Sequence, residues 1–356
     1  MVLNYTKKFN NNVLEYEVDQ SWRNNQNAEY LDYRKKFADL VKNKNLDAGQ
    51  FPLCFEVEST YHCNLECPFC ARGSSAGFRN IKHMSKEIWK RIIEEVEQHY
   101  LPSIMMSHEG EALLNPDLEN MISDARKAGV IDIWMHTNGQ ALTPNRSRRL
   151  IEAGLTKLNV SIDATSEETY SIVRPGGSSL AKVVENIKTF LEIRRETGRP
   201  DIRVRVSFVQ TEDNFHERES FYDFWKEKVN VISYQKMVEM QVFESDKMRE
   251  EYIVKCKLNS VSISNFSCDH LWLIPVIDAE GNIIPCGMPV REHTKDFYLG
   301  NILDGDTISG AWTGKKMQSL RHAHRNNLAS KFNMCHGCAY AQKNNPVTAP
   351  QLQSNG

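Results

Sequence analysis

The 356-residue chain has no apolar run approaching the length of a membrane span. Its first residues, Met-Val-Leu-Asn-Tyr-Thr-Lys-Lys-Phe, lack the apolar core of a signal peptide. Together these absences predict a cytoplasmic protein with no membrane partner. Net charge is scarce too. The formal value is −2, so no basic field exists to gather nucleic acid or anionic lipid. The rest is ordinary for a globular protein, with 40% apolar and 25% charged residues. The length suits one large domain or two modest ones.

Nine cysteines in a cytosolic chain read as metal ligands more readily than as disulfides. They divide into a trio (Cys63, Cys67, Cys70), a set of four (Cys268, Cys286, Cys335, Cys338) and two others, Cys54 and Cys256. The trio sits in Cys63-Asn-Leu-Glu-Cys67-Pro-Phe-Cys70, directly after a strand-like run that begins at Phe55. Thiolates are soft ligands, and a tight loop can bring three of them onto one face of an iron–sulfur cluster. Three protein ligands on a four-iron cluster leave one iron open. Zinc is the competing reading, although it usually takes four ligands from two paired knuckles, and the second pair would be remote.

This CxxxCxxC loop, with an aromatic before its last cysteine, resembles that of the radical S-adenosylmethionine (SAM) enzymes. The resemblance implies a 4Fe-4S cluster on Cys63, Cys67 and Cys70, whose open iron chelates the amino and carboxylate groups of SAM.

Residues 1–50 are polar, and Tyr30, Tyr33, Phe37, Leu40 and Val41 recur at helical spacing, which predicts an N-terminal helical extension packed on the main domain. It looks too short for the leader-binding module of many peptide-modifying relatives. From residue 52 to about 237, strands and helices alternate, as in parallel β/α architecture. Strands are predicted near 54–60, 103–108, 131–137, 157–163, 202–209 and 231–236. Helices are predicted near 85–99, 116–128, 143–153, 180–196 and 216–227. Six such units resemble the family's partial (β/α)6 barrel, assigned to residues 51–255, with the active site at the C-terminal strand ends. Strand parity turns Phe55, Val57, Leu158, Val160, Ile162, Val204 and Val206 outward toward helices. It turns Cys54, Glu56, Glu58, Asp132, His136, Asn159, Ser161, Asp163, Arg203 and Arg205 inward, which predicts a polar interior built for a polar ligand.

Several stretches fit the SAM site that the resemblance implies. Glu109-Gly110-Glu111-Ala112 resembles the family's GGEP motif, with Gly110 and Glu111 matching and Glu109 and Ala112 departing from it; Glu111 would receive the SAM ammonium. Asn159-Val-Ser161-Ile-Asp163 resembles the strand that contacts the ribose and carboxylate. Arg174 is a candidate for the SAM carboxylate or the substrate, and Phe69 for stacking on adenine. Asn138 and Gly139 read as a structural turn.

Cys268, a hairpin pattern with Gly281, and Cys286 follow the spacing Cys-x12-Gly-x4-Cys, which resembles the opening of the family's SPASM domain. Cys335 and Cys338 complete a set of four, so residues 256–345 resemble the shortened form called twitch, with one auxiliary 4Fe-4S cluster, followed by a flexible tail at 346–356. A structural zinc ribbon would also suit four thiolates. His322, His324 and His336 read as solvated helix or loop positions.

The implied activity is reductive cleavage of SAM and hydrogen abstraction from a small polar substrate of sugar or aminocyclitol type. The auxiliary cluster favours net oxidation, with Glu56 or Glu58 as base and a flavodoxin or ferredoxin as reductant. Peptide maturation, or epimerisation or dehydration of a sugar with Cys54 or Cys256 as hydrogen donor, and a non-catalytic zinc-stabilised module are the alternatives.

Overall fold

The computed structural model describes residues 5–7, 13–43, 47–70, 83–237, 268–287, 298–332 and 335. Two N-terminal strands, β1 (Tyr5–Lys7) and β2 (Val13–Glu17), form an antiparallel hairpin. Six further strands run parallel in chain order: β3 (Cys54–Val57), β4 (Ser103–Met105), β5 (Asp132–Thr137), β6 (Lys157–Ser161), β7 (Arg203–Gln210) and β8 (Val231–Lys236). All six lie where the sequence pattern predicts them. Those at 54–60 and 103–108 stop early, because residues after Val57 and Met105 leave the ladder to build the loops of the site. Three short strands, β9 (Val276–Ile277), β10 (Asn282–Ile284) and β11 (Gly300–Asn301), extend the same sheet beyond β3. The sheet order is β1-β2-β8-β7-β6-β5-β4-β3-β9-β10-β11. This is an open sheet around a partial barrel.

Helices α2 (Lys86–Gln98), α3 (Leu118–Lys127), α4 (Pro144–Ala153), α6 (Leu180–Glu196) and α7 (Arg218–Trp225) cover the outer face. Their starts are marked in the sequence. Ser85, Thr143 and Ser179 each accept a backbone N–H three residues on, and Pro144 opens α4. A short helix, α5 (Glu167–Val173), was not predicted; its seven residues give barely two turns of periodicity. The outward parity holds. Phe55, Val57, Leu158, Val160, Ile162, Val204 and Val206 are fully buried in one core with Ile92, Leu150, Ile187 and Phe221 from the helices.

The inner face departs from expectation. The N-terminal segment supplies the hairpin β1–β2 as well as the predicted helix, α1 (Ala28–Lys42). That helix packs on the main domain as expected, against the inner face of the sheet. Its Tyr30, Tyr33 and Phe37 join Trp22, Cys54, Trp272 and Trp312 in a second apolar cluster. The lower interior is therefore aromatic, and its charges are mostly paired. Lys157 Nζ lies 2.6 Å from Asp132 Oδ2, and Arg205 Nη1 lies 2.7 Å from Glu15 Oε1. Among the described residues, no helix is long and apolar enough to cross a membrane.

Burial pushes the Asp132 carboxyl up, but the Lys157 ammonium outweighs it and holds the group below the usual carboxylate range. A depressed carboxyl stabilises the fold above its unfolded pKa and loses that contribution as the pH falls through its folded value. Lys157→Met should cost about 3–5 kcal/mol at neutral pH, because it strands a buried charge. Urea unfolding should show that penalty shrinking as the pH falls, from above the usual carboxylate range downward, because burial without the ammonium raises the Asp132 carboxyl in the variant.

Candidate active site at the C-terminal strand ends

The trio of cysteines leaves β3 in a loop that its neighbours hold on several sides. Cys70 N–H donates to Cys67 O at 3.0 Å, and Glu66 N–H to Pro175 O at 3.0 Å. Asn64 donates through Nδ2 to Gln140 Oε1 and accepts through Oδ1 from Asn138 Nδ2, each at 2.9 Å. Cys67 is buried, while Cys63 and Cys70 are half-buried. Burial pushes the Cys67 thiol up to about 11, against the pull of Arg174, whose Nη1 stands 3.9 Å from Cys67 Sγ. Three thiols on one tethered loop are the soft donor set that an iron–sulfur cluster takes, although among the described residues no three side chains already converge as a preformed metal site.

Gly110 is required by packing. A Cβ there would stand 2.1 Å from the Thr60 carbonyl oxygen, so no side chain fits. The neighbouring Glu111 N–H donates to His62 O at 2.8 Å, which ties this motif to the cysteine loop. The Glu111 carboxylate is buried and already accepts from Leu113 N–H (3.1 Å), the Thr137 hydroxyl (2.7 Å) and Asn138 N–H (2.6 Å). In this structure it fastens β4 to the end of β5. Asn138 and Gly139 form the expected turn, with φ of 76° at Gly139.

Asp163 lies just beyond β6 with φ of 65°, fully buried. It accepts from Val209 N–H at 2.7 Å and from Arg174 Nε at 2.8 Å and Nη2. Arg174 in turn lies 5.8 Å from the centroid of the Phe69 ring. Cys67, Phe69, Asp163 and Arg174, more than 100 residues apart at the extremes, thus meet in one place. Ser161, the last residue of β6, has its hydroxyl 3.3 Å from that of Ser207 on the neighbouring β7.

A second group gathers beside the C-terminal hairpin. His108 Nδ1 lies 2.9 Å from Glu56 Oε2, and its Nε2 lies 4.0 Å from Glu109 Oε1. Burial would lower the imidazole pKa, but Glu56, Glu109 and Glu58 raise it to about 9. Glu58 accepts from Ala279 N–H at 3.0 Å, and burial raises its carboxyl to about 7. Gly287 borders this group: a Cβ there would lie 2.9 Å from Glu56 Oε2 and 3.0 Å from His108 Cε1. Sequence reasoning picked the two glutamates by parity and missed His108. The available signal was its position in the loop after β4, at the catalytic end of the barrel.

Cys268 and Cys286 flank the predicted hairpin β9–β10, although a short helix, α8 (His270–Leu273), comes between Cys268 and the first strand. His324 overturns its reading as a solvated position, being 1% exposed. Cys268 N–H donates to its Nδ1 at 3.1 Å, and its Nε2 lies 3.3 Å from Cys335 Sγ. With Nδ1 accepting, a neutral ring carries its proton on Nε2 and donates to that sulfur. His322 is exposed as expected. Cys54, the first residue of β3, is buried in the aromatic cluster at the opposite end of that strand from the cysteine loop, and burial raises its thiol to about 12. Cys256, Cys338 and His336 lie outside the described residues.

Comparison with known proteins agrees with this geometry. The family model for the Radical SAM superfamily matches residues 57–224, and that for the SPASM iron–sulfur cluster-binding domain matches residues 268–339. A probable GTP 3′,8-cyclase of Methanococcus maripaludis is 28% identical over 200 residues, 55% of this chain and 60% of that protein. Mycofactocin maturase MftC of Mycolicibacterium smegmatis is 28% identical over 180 residues, 50% of this chain and 42% of that protein. The chain thus spans 60% or less of the length of these curated relatives. Among solved structures, BtrN in complex with AdoMet and 2-DOIA aligns with a TM-score of 0.51 and 20% identity, covering 82% of this chain and 96% of that one. Streptococcus suis SuiB bound to precursor peptide SuiA aligns at 0.57 with 15% identity, covering 89% and 78%. Such likenesses speak for the fold. With both family models matching the two regions that carry the cysteine sets, the chain belongs to the radical SAM superfamily and bears a C-terminal SPASM iron–sulfur domain.

Proposed function

We propose that this radical SAM enzyme carries out a net oxidation of a small polar substrate, with Glu56, Glu58 and His108 managing the proton. The observation that carries the reading is the position of that group. It stands at the end of β3, the strand that leads into the cysteine loop, and touches Gly287 beside Cys286. Cys63, Cys67 and Cys70 would hold the SAM-binding cluster, and Cys268, Cys286, Cys335 and Cys338 one auxiliary cluster. Bound there, the cofactors would supply the redox chemistry, namely reductive cleavage of SAM, hydrogen-atom abstraction from the substrate and uptake of the second electron.

The chain's own residues do the rest. Phe69, within the cysteine loop, would stack on an adenine ring and Arg174, beside the loop, would receive a carboxylate, with Asp163 fixing the guanidinium there. Ser161 offers a hydroxyl to the ribose. The backbone at Gly110 and the Glu111 carboxylate would meet the SAM ammonium while Glu111 keeps its bonds to Thr137 and Asn138. Once the hydrogen atom has left the carbon, turning the C–H and O–H pair into a carbonyl still releases one proton and one electron. His108, charged near neutral pH, holds Glu56 in place, and Glu58, raised to about 7, is poised to accept that proton. A hydroxylated substrate of sugar or aminocyclitol type suits such a site. The reductant would be a flavodoxin or ferredoxin.

Anaerobic turnover should yield 5′-deoxyadenosine stoichiometric with an oxidised product; an unoxidised isomer would sink the proposal. The wild-type rate should rise as pH passes upward through about 7, and Glu58→Gln should lose that limb and fall by roughly 10²–10⁴-fold in kcat. Iron analysis should give about eight irons per anaerobically reconstituted chain, and about half that when Cys63, Cys67 and Cys70 are all alanine.

A further inference from the structure

Beneath Ser161 and Ser207, the inner face of the sheet borders a cavity of about 440 Å³. Its wall includes Trp22, Tyr30, Lys157, Asn159, Arg203 and Arg205. Lys157 and Arg205 have carboxylate partners in Asp132 and Glu15. Arg203 differs. It is 7% exposed, its guanidinium carbon lies 5.4 Å from the centroid of the Trp22 ring, and among the described residues no carboxylate reaches ion-pair distance of it.

Among the described residues, three donors on this wall find no acceptor: Arg203 Nε, Arg205 Nε and Asn159 Nδ2. The Asn159 orientation follows from its neighbour, since Arg203 Nη2 donates toward Asn159 Oδ1 at 3.4 Å, and a flipped amide would set donor against donor. Asn159 is fully buried and pairs in register with Arg205 across β6 and β7. Buried donors without acceptors are costly, and more so on a charged group. A wall that offers unmet donors, and a guanidinium on which Glu15 and Asp132 act only from beyond ion-pair distance, calls for an anion. His136, further along β5, reports the same positive field: burial, then Arg205 and Arg203, lower its pKa to about 3.

We propose that the cavity seats an oxyanion of the substrate, a carboxylate or a phosphate, with Arg203, Arg205 and Asn159 as its donors. That it belongs to the substrate rests on the functional reading above. The strand spacing sets the scale. Ser207 and Val209, which pair with Ser161 and Asp163, lie two and four residues beyond Arg205 along β7, or ~7 and ~13 Å at ~3.3 Å per residue. A substrate anchored by its charge at this floor and reacting at the cluster end would therefore have to be an elongated small molecule that spans this distance. The cavity volume falls within the ordinary range for such ligands.

The test is calorimetric titration of the reconstituted wild-type enzyme with inorganic phosphate and, separately, with acetate. We expect saturable binding of at least one; phosphate alone identifies a phosphate ester, and acetate a carboxylate. Arg203→Met should weaken that binding at least tenfold. Glu15→Gln, which releases Arg205 from its carboxylate, should tighten it, so the proposal does not depend on one variant that could misfold. No saturable binding of either anion to the wild type, or wild-type affinity in Arg203→Met, overturns the site. Reductive formation of 5′-deoxyadenosine by the same wild-type preparation reports separately on the functional reading. Its presence without anion binding sinks the anion site alone, and its absence with anion binding sinks only that reading.

Discussion

At the end of β6 the backbone turns through a left-handed residue, Asp163, whose carboxylate is wholly buried and bonded at once to Arg174 and to Val209 N–H. Asn214 Nδ2 also donates to its carbonyl oxygen at 2.9 Å. Burial opposes the guanidinium charge of Arg174, and the Asp163 carboxylate and Cys67 more than restore it. From this one pair the loop after α5 is carried back over the cysteine loop, where Pro175 O accepts Glu66 N–H and where a Cβ on Gly176, at φ of 96°, would stand 3.3 Å from Asn64 O. Removing either member leaves a buried charge alone, which costs far more than the pair contributes. The cluster loop depends on that pair for its shape.

Much of this was legible in the sequence because strand parity is a strict physical rule. A helix-covered face must be apolar, so Phe55, Val57, Leu158, Val160 and Val206 declare which side is out, and their neighbours Glu56, Asn159 and Arg205 must point in. The cysteine spacing did the same for the first cluster site. Short-range rules of this kind do not reach pairings set by distant segments. Nothing local in residues 5–17 says that β2 will lie beside β8, with Val13 opposite Gln235, or that α1 will fill the inner face. Glu111 shows the limit from the other side. Its type and place suggested a ligand contact, while its bonds to Thr137 and Asn138 reveal an architectural duty that spacing alone cannot display. His324 was misjudged because helical periodicity reports which face is apolar, not which polar residue finds a buried partner such as Cys268 N–H.

The two cysteine-bearing regions differ in how they are built. The first is a loop held by side-chain amides and a guanidinium on three sides. The second leans on sheet and helix: the hairpin is registered by Ile283 against Ile277, its turn is held by Asp278 accepting Asn282 N–H at 2.9 Å, and Arg321 donates to the carbonyls of Leu271 and Trp312 at 2.9 Å. Glu58, through Ala279, joins one to the other.

The position of β9 has a consequence for how the chain becomes this structure. β9 pairs in parallel with β3, Glu56 beside Val276, while at the far side β2 must await β8. Both flanks of the six-strand centre are therefore completed by partners remote in the chain, and such high contact order makes folding slow. During synthesis, one edge of β3 stays unpaired until more than 200 further residues have been made, and an open strand edge invites association with other chains. The region bearing the second cysteine set thus also acts as the late closure that retires an aggregation-prone edge.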